Sequence, residues 1–303
     1  MTSKKVLGFI GLGNMGYHMA KHLIRNQYEI KLYDINRSIL DDFKEDNVGI
    51  ASSPKDVADQ ADIVLVSLPT PQVVKKVALG EDGIISGNKV STYIDLSTSG
   101  KDVSAEVGEA FLKKGIKVLD SPVSGGVSGA EKGTLALMVA GEKKLFEEHY
   151  EMLKLIGSKV MYAGDQIGQG QVIKVINNLL SSSALALTSE AMVLGVKAGL
   201  DPNTMIDILN VSSGRNSATE DKFKKSVINR KFDYGFSTNL AYKDMKLCME
   251  LAEKMEVPMF LGQHITHFWR YSITQGNGEE DYTRIINHFE KWADIEVGEL
   301  DGE

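Results

Sequence analysis

Six short apolar runs alternate with helical segments through the first half of the chain, and then the runs stop. They are Val6–Ile10, Ile30–Tyr33, Ile63–Leu68, Thr92–Leu96, Lys117–Leu119 and Leu135–Val139. The stretches between them are long enough for crossover helices. Such alternation implies a mostly parallel, doubly wound sheet. Several runs are apolar at successive positions, as strands covered on both faces must be. Beyond about residue 163 only helical patterns follow, with Pro202 placed to open a helix after Asp201. The expected architecture is therefore α/β, a Rossmann-type doubly wound sheet over 1–163, followed by an all-helical domain over 164–303. The acidic tail from Glu296 to Glu303 reads as frayed.

Gly11-Leu12-Gly13-Asn14-Met15-Gly16 directly follows the first strand and opens a helix. Asp34 stands at the end of the next strand, 18 residues after Gly16. A glycine string alone says little, but this context is that of a dinucleotide fingerprint. Gly11 permits the tight turn, Gly13 lets backbone approach a pyrophosphate, and Gly16 lets helix and sheet close up. The helix start offers free N–H groups to the phosphates. Asp34 can accept from the ribose hydroxyls and repels a 2′-phosphate, so NAD is expected, with NADP as the alternative. Arg37, three residues on, is the residue able to read that phosphate.

Lys174 and Asn178 lie four apart on one long apolar helix that opens with Gly168-Gln169-Gly170, and Ser181 and Ser182 continue the stripe. A polar stripe along a largely buried helix must be hydrogen-bonded or line a cavity. A second cluster, Asp120-Ser121-Pro122-Val123-Ser124-Gly125-Gly126, falls at the carboxyl end of a later strand. Ligands of open α/β sheets bind at that edge, and successive glycine N–H groups can form a nest for a carboxylate. Leu68-Pro69 and the segment from Asp95 to Thr98 end two further strands.

Composition narrows the class. The net charge of −7 argues against a nucleic-acid partner. No apolar stretch suggests a membrane span. Cys248 is the only cysteine, which excludes an intrachain disulfide and fits the cytoplasm. The pairs His18/His22 and His264/His267 lack an acidic third ligand, so no metal is expected.

Together these segments resemble the β-hydroxyacid dehydrogenase family, in order and over almost the whole chain. The resemblance rests on Gly8 through Gly16, Asp95 to Thr98, Asp120 to Gly126, Gly168 through Asn178, and Lys243-Asp244. It implies that Lys174 is the catalytic acid/base and that Asn178 orients the substrate. It implies that Ser124, Gly125 and Gly126 hold the substrate carboxylate. Leu68, Pro69, Thr98 and Lys243 are implied to lie beside the cofactor, Lys243 also being a candidate cation for lowering the Lys174 pKa. A homodimer or homotetramer built through the helical domain is implied as well. The implied activity interconverts a 3-hydroxy acid and its semialdehyde, as with 3-hydroxyisobutyrate. Arg215, in Ser213-Gly214-Arg215-Asn216-Ser217, can meet a second anionic group, which keeps tartronate semialdehyde, 2-(hydroxymethyl)glutarate and sulfonated analogues open. Rival readings are a 6-phosphogluconate-type decarboxylating enzyme, which needs a longer helical domain, an imine reductase, and a non-catalytic dinucleotide-binding module. Lys174 counts against the last two.

Overall fold

The computed structural model describes residues 5–298. Two compact units emerge, Met1–Lys174 and Val175–Glu303. The first holds strands β1 (Leu7–Ile10), β2 (Ile30–Tyr33), β3 (Val48–Ile50), β4 (Ile63–Val66), β5 (Thr92–Asp95), β6 (Lys117–Asp120), β7 (Val123–Ser124), β8 (Ala136–Gly141) and β9 (Lys159–Gly164). Between them run helices α1 (Gly16–Arg25), α2 (Pro54–Gln60), α3 (Pro71–Leu79), α4 (Gly100–Lys113), α5 (Gly126–Lys132) and α6 (Lys143–Leu153).

The strands form one sheet in the order β3-β2-β1-β4-β5-β6-β8-β7, with β9 beside β8. From β3 to β6 every pairing is parallel. The apolar runs explain the layering. Along β4, Ile63 and Leu65 join the core shared with α1 and α6, while Val64 and Val66 join the core on the other face. β1 splits in the same way, Leu7 and Phe9 against Ile10. Each face of β1 and β4 is thus sealed, and these two strands carry no polar alternation.

The structure adds to the expected strand list. β8 runs antiparallel to both β6 and β7, and β9 pairs with it in parallel. β3, β7 and β9 were not among the six expected runs. β3 and β7 span only three and two residues. β9 alternates exposed and half-buried positions instead of presenting an apolar run.

Helix starts follow local chemistry. Ser53 and Thr70 cap α2 and α3 through Asp56 N–H and Val73 N–H, each ahead of a proline in the first turn. Asp201 likewise accepts from Thr204 N–H at 2.7 Å and opens α8 (Pro202–Asn210) as the sequence led one to expect.

The second unit is helical among its described residues. Most of α7 (Gln169–Lys197) belongs to it, followed by α8, a π-wound segment over Ala218–Val227, α9 (Thr238–Lys254), α10 (Phe260–Ser272) and α11 (Ile286–Ala293). Its core gathers Phe223, Met245, Trp269, Tyr282 and Ile286. α7 corrects one expectation. At 29 residues, with a window of mean hydropathy 1.5, it is long and apolar enough to cross a membrane, and half of that window is buried inside the fold.

The tail is corrected too. Val297 is fully buried, and its N–H donates to Glu290 Oε1 at 2.8 Å. The Arg230 guanidinium ion-pairs with Glu290 and also donates to Val297 carbonyl oxygen at 3.2 Å. This clasp ties Glu296–Gly298 down; Glu299 to Glu303 lie outside the described residues. Both charges are nearly buried, so removing one leaves the other uncompensated. Glu290→Gln should cost about 3–5 kcal/mol in urea unfolding of the full chain, while Glu296→Gln should cost almost nothing.

Candidate active site

β1 lies between β2 and β4, so the chain crosses over in opposite directions on its two sides. The crevice outside the carboxyl ends of β1 and β4 is the switch point where open α/β sheets bind ligands. Gly11–Gly16 fills the β1 end. Gly11 takes φ +91°, and a Cβ there would lie 2.2 Å from the Ser67 carbonyl oxygen. A Cβ on Gly16 would lie 1.9 Å from the Gly11 carbonyl oxygen. Gly13 differs, since a Cβ there meets nothing within 4 Å. Its backbone faces open space, which is the room a pyrophosphate needs. α1 has no side-chain cap and no acidic residue in its first turn; Tyr17 N–H donates to the Gly13 carbonyl oxygen at 3.0 Å, and the helix start favours an anion at the turn ahead of it. The residues present fit a dinucleotide.

Asp34 ends the β2 segment and braces this turn. Its Oδ2 accepts from Leu12 N–H at 2.6 Å and its Oδ1 from Asn36 N–H at 2.7 Å. Arg37 is turned to other work. Its guanidinium donates to the Ala51 and Ser52 carbonyl oxygens at 2.8 and 2.7 Å and stands over the Tyr33 ring. Asn14 and Met15 complete the turn between Gly13 and α1.

Next to the crevice a buried polar network joins three strand ends to the first turn of α7. Leu68 N–H donates to Ser97 Oγ at 2.9 Å, and Ser97 N–H to Asp95 Oδ1 at 2.9 Å. Ser99 Oγ donates to Asp95 Oδ2 at 2.9 Å. Gln171 then bridges: its Oε1 accepts from Ser99 N–H and Gly100 N–H, and its Nε2 donates to the Ser97 carbonyl oxygen. Pro69 and Thr98 sit in the two loops so joined.

Asp120 finishes the arrangement. Its two carboxylate oxygens accept from Gly168 N–H at 2.8 Å and Gln171 N–H at 3.0 Å, two donors at the start of α7. Gly168 holds φ +99°. A Cβ on Gly170 would fall 2.2 Å from the Met138 carbonyl oxygen and 2.6 Å from Asp120 Oδ2. The Gly-Gln-Gly opening is therefore steric, because the helix must begin pressed against β6 and β8. Lys174 follows one turn later, and only 8% of its surface is exposed. The chain's most telling lysine is not a solvated one.

Ser124 ends β7, and Gly125 and Gly126 take φ +132° and +64°. Two successive positive φ values suit a nest of backbone N–H groups.

In the second unit, Asn178 is held from both sides. Its Nδ2 donates to Asp244 Oδ2 at 2.6 Å, and its Oδ1 accepts from Asn177 Nδ2 at 3.1 Å. A carboxylate can only accept, so Asp244 sets which way the amide points. Lys243 lies 3.0 Å from the other Asp244 oxygen. Arg215 sits on an exposed turn, 63% exposed, with Glu220 at 3.4 Å. Asn216 pins that turn by accepting from Ala218 N–H at 2.8 Å and donating to Thr188 Oγ1 at 3.2 Å. His22, by contrast, faces the Ala130 and Glu131 carbonyl oxygens.

Sequence reasoning missed Gln171, Ser99 and the partnerships of Asp120 and Asp244. The available signal was an aspartate closing each of two apolar runs, at Asp95 and Asp120, which the structure pairs across neighbouring strands.

Residues 6–164 match the NAD-binding domain model of 6-phosphogluconate dehydrogenase, and residues 168–289 the NAD-binding model of NADP-dependent 3-hydroxyisobutyrate dehydrogenase. The mitochondrial 3-hydroxyisobutyrate dehydrogenase of Rattus norvegicus is 37% identical over 295 residues, covering 95% of this chain and 88% of that protein. The 2-(hydroxymethyl)glutarate dehydrogenase of Eubacterium barkeri is 34% identical over 292 residues, covering 96% and 97%. The solved 3-hydroxyisobutyrate dehydrogenase of Mycobacterium tuberculosis with L-serine superimposes with a TM-score of 0.84 at 28% identity, covering 94% and 98%. The chain belongs to the β-hydroxyacid dehydrogenase family.

Burial pushes the Asp120 carboxyl up to about 7, helped by the nearby Asp95 charge and opposed by the two N–H donors. The raised value sets a sign. Between about pH 4 and 7 the unfolded chain has released this proton and the folded one retains it, so stability falls as pH rises through that window. The urea midpoint of wild type should drop more steeply over that range than that of Asp120→Asn. The variant should also be weaker at pH 5, by about 1–3 kcal/mol, for want of a matched acceptor at the α7 start. Parallel pH curves for the two proteins would contradict this account.

Proposed function

We propose that the chain oxidises the alcohol of a 3-hydroxy acid to its semialdehyde with NAD, and runs the reverse reduction, as a 3-hydroxyisobutyrate dehydrogenase-type enzyme. The reaction class, an NAD(P)-dependent dehydrogenase acting on a CH–OH group, follows from the family. One observation carries the rest: a buried lysine on α7, one turn before an asparagine whose amide is locked by a carboxylate.

In this reading Lys174 takes the hydroxyl proton in oxidation, and its ammonium protonates the developing alkoxide in reduction. Asn178, oriented by Asp244, fixes the substrate oxygen. The Ser124-Gly125-Gly126 nest holds the carboxylate, so the reacting carbon is presented in one pose. The dinucleotide, when bound, supplies the hydride acceptor. Gly11–Gly16 and Asp34 would hold it, with Leu68, Pro69, Thr98 and Lys243 beside it. NAD is preferred over NADP because Asp34 repels a 2′-phosphate while Arg37 spends its donors on Ala51 and Ser52. The enzyme works as a homodimer or homotetramer in the cytoplasm. Leu180, Leu187 and Leu194, exposed at seven-residue spacing on α7, support self-association, and the one cysteine, buried Cys248, supports a reducing compartment. The substrate set includes 3-hydroxyisobutyrate and 2-(hydroxymethyl)glutarate, the latter on the strength of the Eubacterium barkeri relative.

Lys174→Ala should lose ~10²–10⁴ in turnover while NAD affinity, read by NADH fluorescence, stays within about threefold. A variant retaining a tenth of wild-type turnover would remove Lys174 from the chemistry.

The cofactor choice is tested separately. Wild type should show a higher kcat/KM with NAD than with NADP, and Asp34→Ser should narrow that ratio by about tenfold or more. A wild-type preference for NADP would reverse the assignment of Asp34.

A further inference from the structure

The second unit contains another buried lysine, which the reaction does not use. Lys222 lies on the π-wound segment Ala218–Val227 and only 3% of its surface is exposed. Its Nζ donates to Ser181 Oγ, Ser217 Oγ and the Ser217 carbonyl oxygen, each at 3.1 Å. Among the described residues no carboxylate pairs with it. The adjacent Asp221 is engaged elsewhere, by the Tyr234 hydroxyl at 2.5 Å and by an ion pair with Lys225. Burial brings the Lys222 ammonium down to about 8, against the pull of Asp221. A buried cation without a counter-ion is costly, and folds keep one where an anion visits.

The serines show how the charge is used. A hydroxyl that accepts from an ammonium still has its own proton to donate. Ser217 is exposed and Ser181 half-buried, so the two hydroxyls stand between Lys222 and solvent. Ser217 Oγ donates to Ser181 Oγ at 3.4 Å, a long bond that an incoming anion can replace by accepting the same proton. Ser181 lies three residues beyond Asn178 on α7, on the same face and ~4.5 Å along the axis. Arg215, the cation that the sequence brings to mind for this task, is a solvated side chain paired with Glu220.

We propose that Ser181, Ser217 and Lys222 form a binding position for a second anionic group, a carboxylate or sulfonate, at the end of the substrate remote from the reacting alcohol. The proposal rests on the reading of Lys174 and Asn178 as the reacting end, and it makes Lys222 rather than Arg215 the determinant of diacid specificity.

The test compares wild type, Lys222→Met, Ser217→Ala and Arg215→Ala with 3-hydroxyisobutyrate and 2-(hydroxymethyl)glutarate, alongside calorimetric binding of glutarate, a diacid with no alcohol to oxidise. A hydrogen-bonded charge contributes about 1.5–3 kcal/mol, so Lys222→Met should raise KM for the diacid roughly 10–100-fold. It should leave kcat/KM for 3-hydroxyisobutyrate within about threefold. Ser217→Ala, a change at an exposed position that folding tolerates, should give a smaller loss with the same selectivity, and Arg215→Ala should change little. Glutarate binding should vanish in Lys222→Met and persist in Lys174→Ala. Equal losses on both substrates, unchanged diacid KM in Lys222→Met and Ser217→Ala, or absent glutarate binding by wild type at millimolar concentration would each overturn the proposal. Lys222-dependent glutarate binding by an enzyme that oxidises neither acid would retain the anion position and reject the reading of the reacting end.

Discussion

The carboxylate of Asp120 is the contact on which the rest depends. It is fully buried at the end of β6, and it accepts the two N–H groups that open α7. A helix start buried without acceptors would leave several orphan donors. With Asp120 and Gln171 in place, the first turn of α7 is fastened to the ends of β4, β5 and β6 through Ser97, Ser99 and Asp95. Lys174 sits one turn further along, so the position of its backbone is set by hydrogen bonds to the sheet.

That anchoring explains residues that would otherwise look incidental. Gly170 is a glycine because Met138 carbonyl oxygen and Asp120 occupy the space of a side chain. Gly11 and Gly16 are glycines for the same steric reason, whereas a Cβ on Gly13 would meet nothing within 4 Å. Asp34 has a structural duty in the same turn, holding Leu12 N–H. A residue expected to face a ribose thus braces the glycine turn itself.

The helical unit handles polarity differently. Asn178 is oriented by one carboxylate, and Lys222 is held by hydroxyls without one. The first arrangement fixes an amide in a single orientation. The second holds a positive charge against Ser181, three residues beyond Asn178 on α7. Both sit where a helix face would otherwise be apolar, and both carry a desolvation cost that packing alone does not require.

Much of this was legible in the chain. Unbroken apolar runs specify strands covered on both faces, and the change of pattern near residue 163 points to an α/β unit followed by a helical one, which the structure divides at Lys174 and Val175. The glycine turn and the shared helix face of Lys174 and Asn178 could be read from local spacing: a tight turn needs glycine, and residues four apart lie on one face of a helix. The short strands β3 and β7, the antiparallel β8, and the buried tail at Val297 could not be read that way. Their formation depends on partners far off in sequence, and two or three residues carry no period of their own. The same limit applies to side chains. Which of Arg215 and Lys222 is solvated, and which oxygen holds Asn178, depends on desolvation and on contacts between distant segments. Local pattern determined most of the elements and which polar residues share a helix face; only tertiary packing decided which charges are buried and what faces them.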